Sequence, residues 1–367
     1  MDRLPKIGIV YLLFYHNQSY VDDMVSALKK ITYPKERIEL IIVSNPHPEE
    51  GDFLDYIQEV VMPFSGKELP NVTVLPQDEN TGFAKGNNVG AAWALEHNCS
   101  YVFFHNNDGF LATNGLEPLV ALFEKDQTVG AAQSLILLHP DTDYINSSGN
   151  CFHYLGFGYC DNYRSKREEI TLPSVKEIGY ASGAALMVRA DLIKKYGGWD
   201  EDFFLYHEDL EWSLRLRMVG LRVVLVKDSV FYHKYKFSRS IEKYFWMERN
   251  RYGLMLMFFR WPTLLLFLPF ALFLELGLLF FAIKGGWARE RWKVYRYWFS
   301  LKHLVLWLGK RKKIQKIRTV SDREILAIAV TGIHFQDTST DSVIIRHFAN
   351  PLFGVYYRCV VRCLVWW

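Results

Sequence analysis

The chain has 367 residues, half of them hydrophobic and 23% charged, which excludes a disordered polymer and exceeds what one small domain needs. Its net charge of +3 is unremarkable until it is mapped along the sequence. The cysteines (Cys99, Cys151, Cys160, Cys359 and Cys363) are odd in number, which argues against a disulfide framework.

In chain order, Ile7 to Phe14 is an apolar run ending in Tyr15-His16-Asn17. It predicts a buried parallel strand with a polar carboxyl edge. With no signal peptide ahead of it, the first domain is expected in the cytoplasm. Tyr20 to Ile31 has helical periodicity, and Ile38 to Val43 predicts a second strand that ends in Ser44-Asn45. A helix over 53–61, a strand over 72–75, a helix opening near Gly82 and a strand over Tyr101–Phe104 follow, then a helix over 116–124. Strands alternating with helices predict a doubly wound α/β sheet, whose ligands bind beyond the carboxyl ends of the strands.

The segment 147–178 is irregular and aromatic. A helix is predicted over 205–218 and strands over 221–226 and 230–232. Thr263 to Ile283 is almost wholly apolar, long enough to span a bilayer, and interrupted by Pro269, Glu275 and Gly277. Between Lys284 and Arg318 lie twelve Lys and Arg against one acid, Glu290. Basic residues on both flanks of the apolar segment favour a re-entrant or interfacial pair of helices broken at Pro269 over a single pass. A block this basic beside an apolar helix points to an anionic membrane surface, with no nucleic acid as partner. Ser321-Asp322-Arg323-Glu324 predicts a capping box.

Four constellations carry candidate chemistry. Asn80 to Gly90 follows a strand and opens a helix, where glycines admit a close ligand and free amides meet phosphate. An ordinary Gly-rich turn has the same spacing. Asn106-Asn107-Asp108 ends a strand with oxygen ligands suited to a divalent cation, or simply turns the chain. Glu208-Asp209 falls in the first turn of a helix, where the macrodipole favours an ionised carboxylate. His233 follows a strand and gains interest only if it completes a metal site with Asp108.

In this order the segments resemble a family 2 glycosyltransferase of the GT-A fold, most nearly the rhamnosyltransferase-like branch. The likeness runs over roughly residues 5 to 255. It rests on Asn80 to Gly90, Asn106 to Asp108, Gly183-Ala184-Ala185, Gly197-Gly198-Trp199-Asp200, Glu208-Asp209, His233 and Glu248-Arg249-Asn250. Two positions depart from the family pattern: Asn106 stands where the first Asp of the metal motif is usual, and Ser44-Asn45 where an Asp usually reads the base.

The resemblance implies a GT-A catalytic domain over 1–240, its nucleotide-sugar half about 1–110 and its acceptor half about 111–240, then a helical membrane-associated region over 241–367. It implies inverting transfer of a rhamnose-like or other hexose from a UDP- or dTDP-linked donor to a hydroxyl of a glycan or lipid-linked acceptor, at the cytoplasmic face of a membrane. Asp209, with Glu208, would be catalytic. Mg²⁺ or Mn²⁺ would sit on Asp108 and His233. Tyr15, Asn17, Ser44, Asn45, Asn80, Gly82, Phe83, Lys85, Gly86, Asn87, Asn106, Asn107 and Asp108 would bind the donor. Gly183, Trp199 and Asp200 would meet the acceptor, the indole offering an apolar face to a sugar. The competing readings are a non-catalytic glycan- or lipid-binding module that kept the fold, and a sugar nucleotidyltransferase, whose Gly-rich loop usually follows the first strand.

Overall fold

The structure, a computed structural model, describes residues 4–14, 17–47, 49, 51–235, 241–333 and 345–367. The chain divides into two compact units, one of residues 1–150, 160–204 and 221–236, the other of residues 151–159, 205–220 and 237–367.

The first unit is built on a ten-stranded sheet. Strands β1 (Ile7–Leu13), β2 (Ile38–Ser44), β3 (Asn71–Pro76) and β4 (Tyr101–Asn106) lie in the order β4-β1-β2-β3, all parallel. Every residue of β1 and β2 is buried, which is why both read as unbroken apolar runs. Helices α1 (Gln18–Lys29), α2 (Leu54–Val60) and α4 (Glu117–Lys125) bury Val21, Met24, Leu28, Ile57, Leu119 and Phe123 in one core with Ile9, Tyr11, Leu40 and Ile42. Helix α3 (Gly82–Glu96) covers the opposite face, where a Cβ on Gly86 would lie 2.5 Å from Leu12 and one on Gly90 2.4 Å from Val10. These two glycines let the helix lie directly on β1.

Beyond β4 the sheet is mixed. Strand β5 (Gly109–Leu111) follows a tight turn, and β6 (Val129–Leu138) carries β7 (Ile145–Ser147) on its edge. A short pair, β8 (Asn150–Phe152) and β9 (Gly158–Cys160), stands apart from the main sheet. Strand β10 (Val175–Glu177) closes the edge, and β11 (Ala185–Arg189) runs antiparallel between β4 and β6, followed by α5 (Ala190–Tyr196). The two strands expected over 221–226 and 230–232 are one, β12 (Arg222–His233), whose register against β6 shifts between Val226 and Val230. That bulge mimics a break in the sequence pattern.

In the second unit, α6 (Glu208–Met218) begins three residues later than expected, because Tyr206 and His207 both adopt φ of +65°. Helices α7 (Ile241–Phe258), α8 (Trp261–Lys284), α9 (Ala288–Trp298), α10 (Leu301–Ile317), α11 (Asp322–Ala327) and α12 (Asn350–Tyr356) complete it. Helix α8 passes through Pro269 unbroken, contrary to the expected pair of helices. Contacts of Phe267 with Phe259 and of Phe270 with Tyr356 hold both of its halves. The capping box at Ser321 and Glu324 is present.

Part of the basic block is internal wiring. Arg291 is fully buried against Glu248 and Glu275, and Arg311 donates to the Phe259 carbonyl at 2.5 Å, satisfying the end of α7. Arg318 pairs with the buried Asp322. Lys284, Arg289, Arg296, Lys302, Lys312, Lys313 and Lys316 face outward.

Candidate active site

The carboxyl edge of the parallel strands gathers most of the expected donor-side residues. Leu13 of β1 pairs with Ser44 of β2, and Leu12 with Asn106 of β4. Asn45 is buried, and its polar atoms are spent on the next loop. Its Oδ1 accepts from Thr81 Oγ1 at 2.8 Å, and its Nδ2 faces Asn80 Oδ1 and the Gly82 carbonyl, both at 3.4 Å. Asn80 Oδ1 in turn accepts from the Gly82 amide at 2.9 Å. Gly82 has φ of +73°, and a Cβ there would touch the Phe204 ring at 3.2 Å. Asn45 therefore fixes the mouth of α3.

Lys85 is exposed in the first turn of α3. Asn87 is buried and donates to the Phe83 carbonyl at 3.0 Å, while Gly86 faces β1. Asn17 caps α1 by accepting from the Ser19 amide. Ser44 is buried under the loop, and Tyr15 lies outside the described residues.

The expected acceptor-side loop is clamped by a residue that the sequence reading passed over. Asn88 Oδ1 accepts from the Trp199 amide at 2.8 Å, and its Nδ2 donates to the Trp199 carbonyl at 2.9 Å and to Glu201 at 3.0 Å. Trp199 is only 3% exposed and meets Phe83 and Phe104 in T-shaped contacts. The indole thus braces the loop, and its expected open face for a sugar is taken up by these rings. A Cβ on Gly183 would lie 2.9 Å from Phe83, so this glycine is part of the same packing. Asp200 is half-buried and accepts from the Asp202 amide at 3.1 Å.

Asp108 and His233 meet. Gly109, next to Asp108, pairs with His233 across β5 and β12, which brings His233 Nε2 to 2.8 Å from Asp108 Oδ1. Asn106 Nδ2 donates to the same oxygen at 2.6 Å. Buried Asn107 accepts at its carbonyl from Tyr11 Oη at 3.1 Å. Burial pushes the Asp108 pKa up, but the charge and hydrogen bond of His233 outweigh it, and the net direction is down. His233 Nδ1 lies 2.7 Å from Asn146 Oδ1, an acceptor, so Nδ1 carries a proton. Its Nε2 faces the Asp108 carboxylate. A second proton on the ring makes this an ion pair, and without it the Nε2 lone pair and the carboxylate could together hold a divalent cation. Among the described residues no group of three His, Cys, Asp or Glu is gathered. Two protein ligands suit Mg²⁺ or Mn²⁺ when substrate phosphates supply the rest.

In the second unit the turn ahead of α6 carries the carboxylates. Asn250 of α7 donates to the carbonyls of Leu205 at 3.0 Å and Tyr206 at 2.7 Å, and its Oδ1 accepts from Arg249. These bonds hold the strained residues before Glu208. Asp209 is half-buried and accepts from the Leu210 amide at 2.8 Å. Glu208 is buried, and its Oε2 has no hydrogen-bond partner. Burial first, and then the Asp209 charge, push the Glu208 pKa well above the carboxylate range. Burial and the neighbouring carboxylate thus both favour the protonated form of Glu208. Glu248 shows the opposite case: despite burial, the guanidinium groups of Arg251 and Arg291 hold its pKa down to about 2. Asn88, Asn146 and Asn250 give no sequence signal for these roles, because each acts over more than forty residues of separation.

An α/β sheet with its polar groups at the carboxyl edge is the architecture of GT-A glycosyltransferases. A solved structure of GalNAc-T7 with UDP, GalNAc and Mn²⁺ superposes with a TM-score of 0.51 over 70% of this chain and 51% of that one, at 15% identity, a likeness of fold. The family described as "Glycosyltransferase like family 2" matches residues 10–252, and the chain belongs to it. Among curated relatives, the "Probable glycosyltransferase YdaM" of Bacillus subtilis (strain 168) is 25% identical over 266 residues, covering 69% of this chain and 56% of its own length. The chain thus spans little more than half of that relative. The N-acetylglucosaminyl-diphospho-decaprenol L-rhamnosyltransferase of Mycobacterium tuberculosis (strain CDC 1551 / Oshkosh) is 28% identical over 259 residues, covering 64% of this chain and 76% of that protein.

Proposed function

We propose that the chain is an inverting glycosyltransferase that moves a rhamnose-like or other hexose from a UDP- or dTDP-linked donor to a hydroxyl of a lipid-linked acceptor. The observation that carries the reading is the Asp108–His233 contact at 2.8 Å at the carboxyl edge of the sheet. The family match and the relative named for a decaprenol-linked acceptor support it.

In this reading Asp209 accepts the proton of the attacking hydroxyl. Glu208 stays protonated, which limits the negative charge at the mouth of α6. Asn80, Gly82, Phe83 and Lys85 lie along the donor, with Asn45 and Asn87 holding their loop. Asp108 and His233 would hold Mg²⁺ or Mn²⁺, which would supply positive charge to the diphosphate.

We also infer that α8 lies in the membrane interface. Trp261–Lys284 is long and apolar enough to cross a membrane. Yet Glu275, inside it, bonds to Arg291 of α9. A bilayer-spanning α8 would carry α9 to mid-depth with the exposed Arg289 and Arg296, at high cost. Lying flat, α8 sets its exposed apolar side toward lipid, with the outward lysines and arginines available to an anionic surface.

The test is a panel of nucleotide sugars with Mg²⁺ or Mn²⁺, scoring nucleoside diphosphate release and thermal stabilisation. One donor should stand out and require the metal. No stabilisation by any donor would favour the non-catalytic module.

A further inference from the structure

The second unit contains a cavity of about 700 Å³ with overwhelmingly apolar walls, among them Phe157, Met247, Phe281, Trp287 and Phe353. That volume is in the range of sites that enclose a small molecule. Two features say what it takes. Phe273 and Leu276 of α8 line the cavity and are also 52% and 68% exposed, so its rim belongs to an outer apolar stripe. That stripe (Leu265, Leu268, Leu272, Leu276, Phe280 and Ile283) recurs every three or four residues, along one side of the helix. A polar ligand would have to cross it; a hydrocarbon chain is drawn across it.

The lining also includes His207, the residue before Glu208 and Asp209. Its ring nitrogens are buried, the Gly156 backbone approaches them, and among the described residues neither makes a hydrogen bond of good geometry. Such a group in an apolar chamber calls for a polar atom from a ligand.

We propose that this cavity receives the isoprenoid tail of a lipid-linked acceptor, which enters over the apolar stripe of α8 and brings its polar head to His207 and the Glu208–Asp209 turn. The proposal rests on the reading of the acceptor as lipid-linked.

Gly277 supplies a clean test. It lines the cavity, and a Cβ placed there meets nothing within 4 Å. Gly277→Phe therefore adds a ring at the cavity wall without a backbone clash, and loss of a mid-helix glycine favours α8. Gly309→Phe, on α10, also meets open space, does not line the cavity, and is the matched control. Native mass spectrometry and calorimetry with farnesyl phosphate, in competition with a two-chain phosphatidylglycerol, read the outcome. We expect binding to fall tenfold or more in Gly277→Phe, to persist in Gly309→Phe, and to resist the phospholipid. Equal binding by wild type and Gly277→Phe would overturn the proposal. So would ready displacement by the phospholipid, which would make the cavity a membrane anchor. Donor turnover is measured separately: its loss in the wild type would sink the transferase reading and leave the binding result standing.

Discussion

Asp108 in the first unit and Glu208 in the second meet opposite surroundings. In the first, Asp108 faces His233 and Asn106, and its pKa is drawn down. In the second, Glu208 has one oxygen buried without a partner, and its pKa is driven up. A carboxylate held ionised can bind a cation, whereas one held protonated spares its neighbour Asp209 a second charge. Under the proposed function the first would grip a cation and the second would flank the proton acceptor, and each half of that contrast can be broken alone.

The largest effect is expected at Asp209. Asp209→Asn keeps the shape and the bond from the Leu210 amide but removes the proposed proton acceptor. Turnover should fall by about 10³-fold or more, while donor affinity, measured by calorimetry, stays within about twofold. Retained turnover would remove Asp209 from the mechanism. At Asp108 the pattern should reverse. Asp108→Ala should weaken donor binding about 10- to 100-fold in Mg²⁺ or Mn²⁺, with little change in metal-free buffer. Equal weakening in both buffers would point to a packing role.

Asn250 tests whether the turn before α6 has to be held. Asn250→Ala removes donors to two carbonyls at 3.0 and 2.7 Å, at about 1–3 kcal/mol for each one left unsatisfied. We expect kcat to drop by about tenfold or more with donor affinity retained, because small displacements at a reacting group are costly. A loss of thermal stability with normal kcat would make Asn250 structural only.

These roles also mark where sequence reading succeeds. The buried runs of β1 and β2 and the strand–helix alternation were legible, since two-sided burial leaves a continuous apolar signature. Asp108 and His233 stood out as residue types at strand ends. Their pairing was expected only through the family resemblance, because it depends on the β5–β12 register across 125 residues of separation. Trp199 looked like a sugar platform, yet its environment is set by Phe83 and Phe104, distant in sequence. The basic block overstated the outward charge, because Arg291, Arg311 and Arg318 turn inward to meet acids or helix-end carbonyls that no local pattern reveals.

The smallest effect is expected at Glu208, and it is one of stability against pH. Its folded pKa is raised above the unfolded carboxyl value of about 4.3. The folded state therefore binds this proton more tightly than the unfolded chain does. The stability gained is fully present below the unfolded value and is lost as pH rises through the folded one. Glu208→Gln fixes the neutral form and has nothing to lose over that interval. Other groups titrate as well, so the informative quantity is the difference between variant and wild type. Measured by thermal melts from pH 4 to pH 9, that difference should grow with pH in favour of the glutamine. At the alkaline end it should reach at least about 1 kcal/mol, or roughly 2–4 °C in Tm. Two parallel curves would mean that Glu208 ionises in the fold as it does in water, and the contrast with Asp108 would then rest on geometry alone.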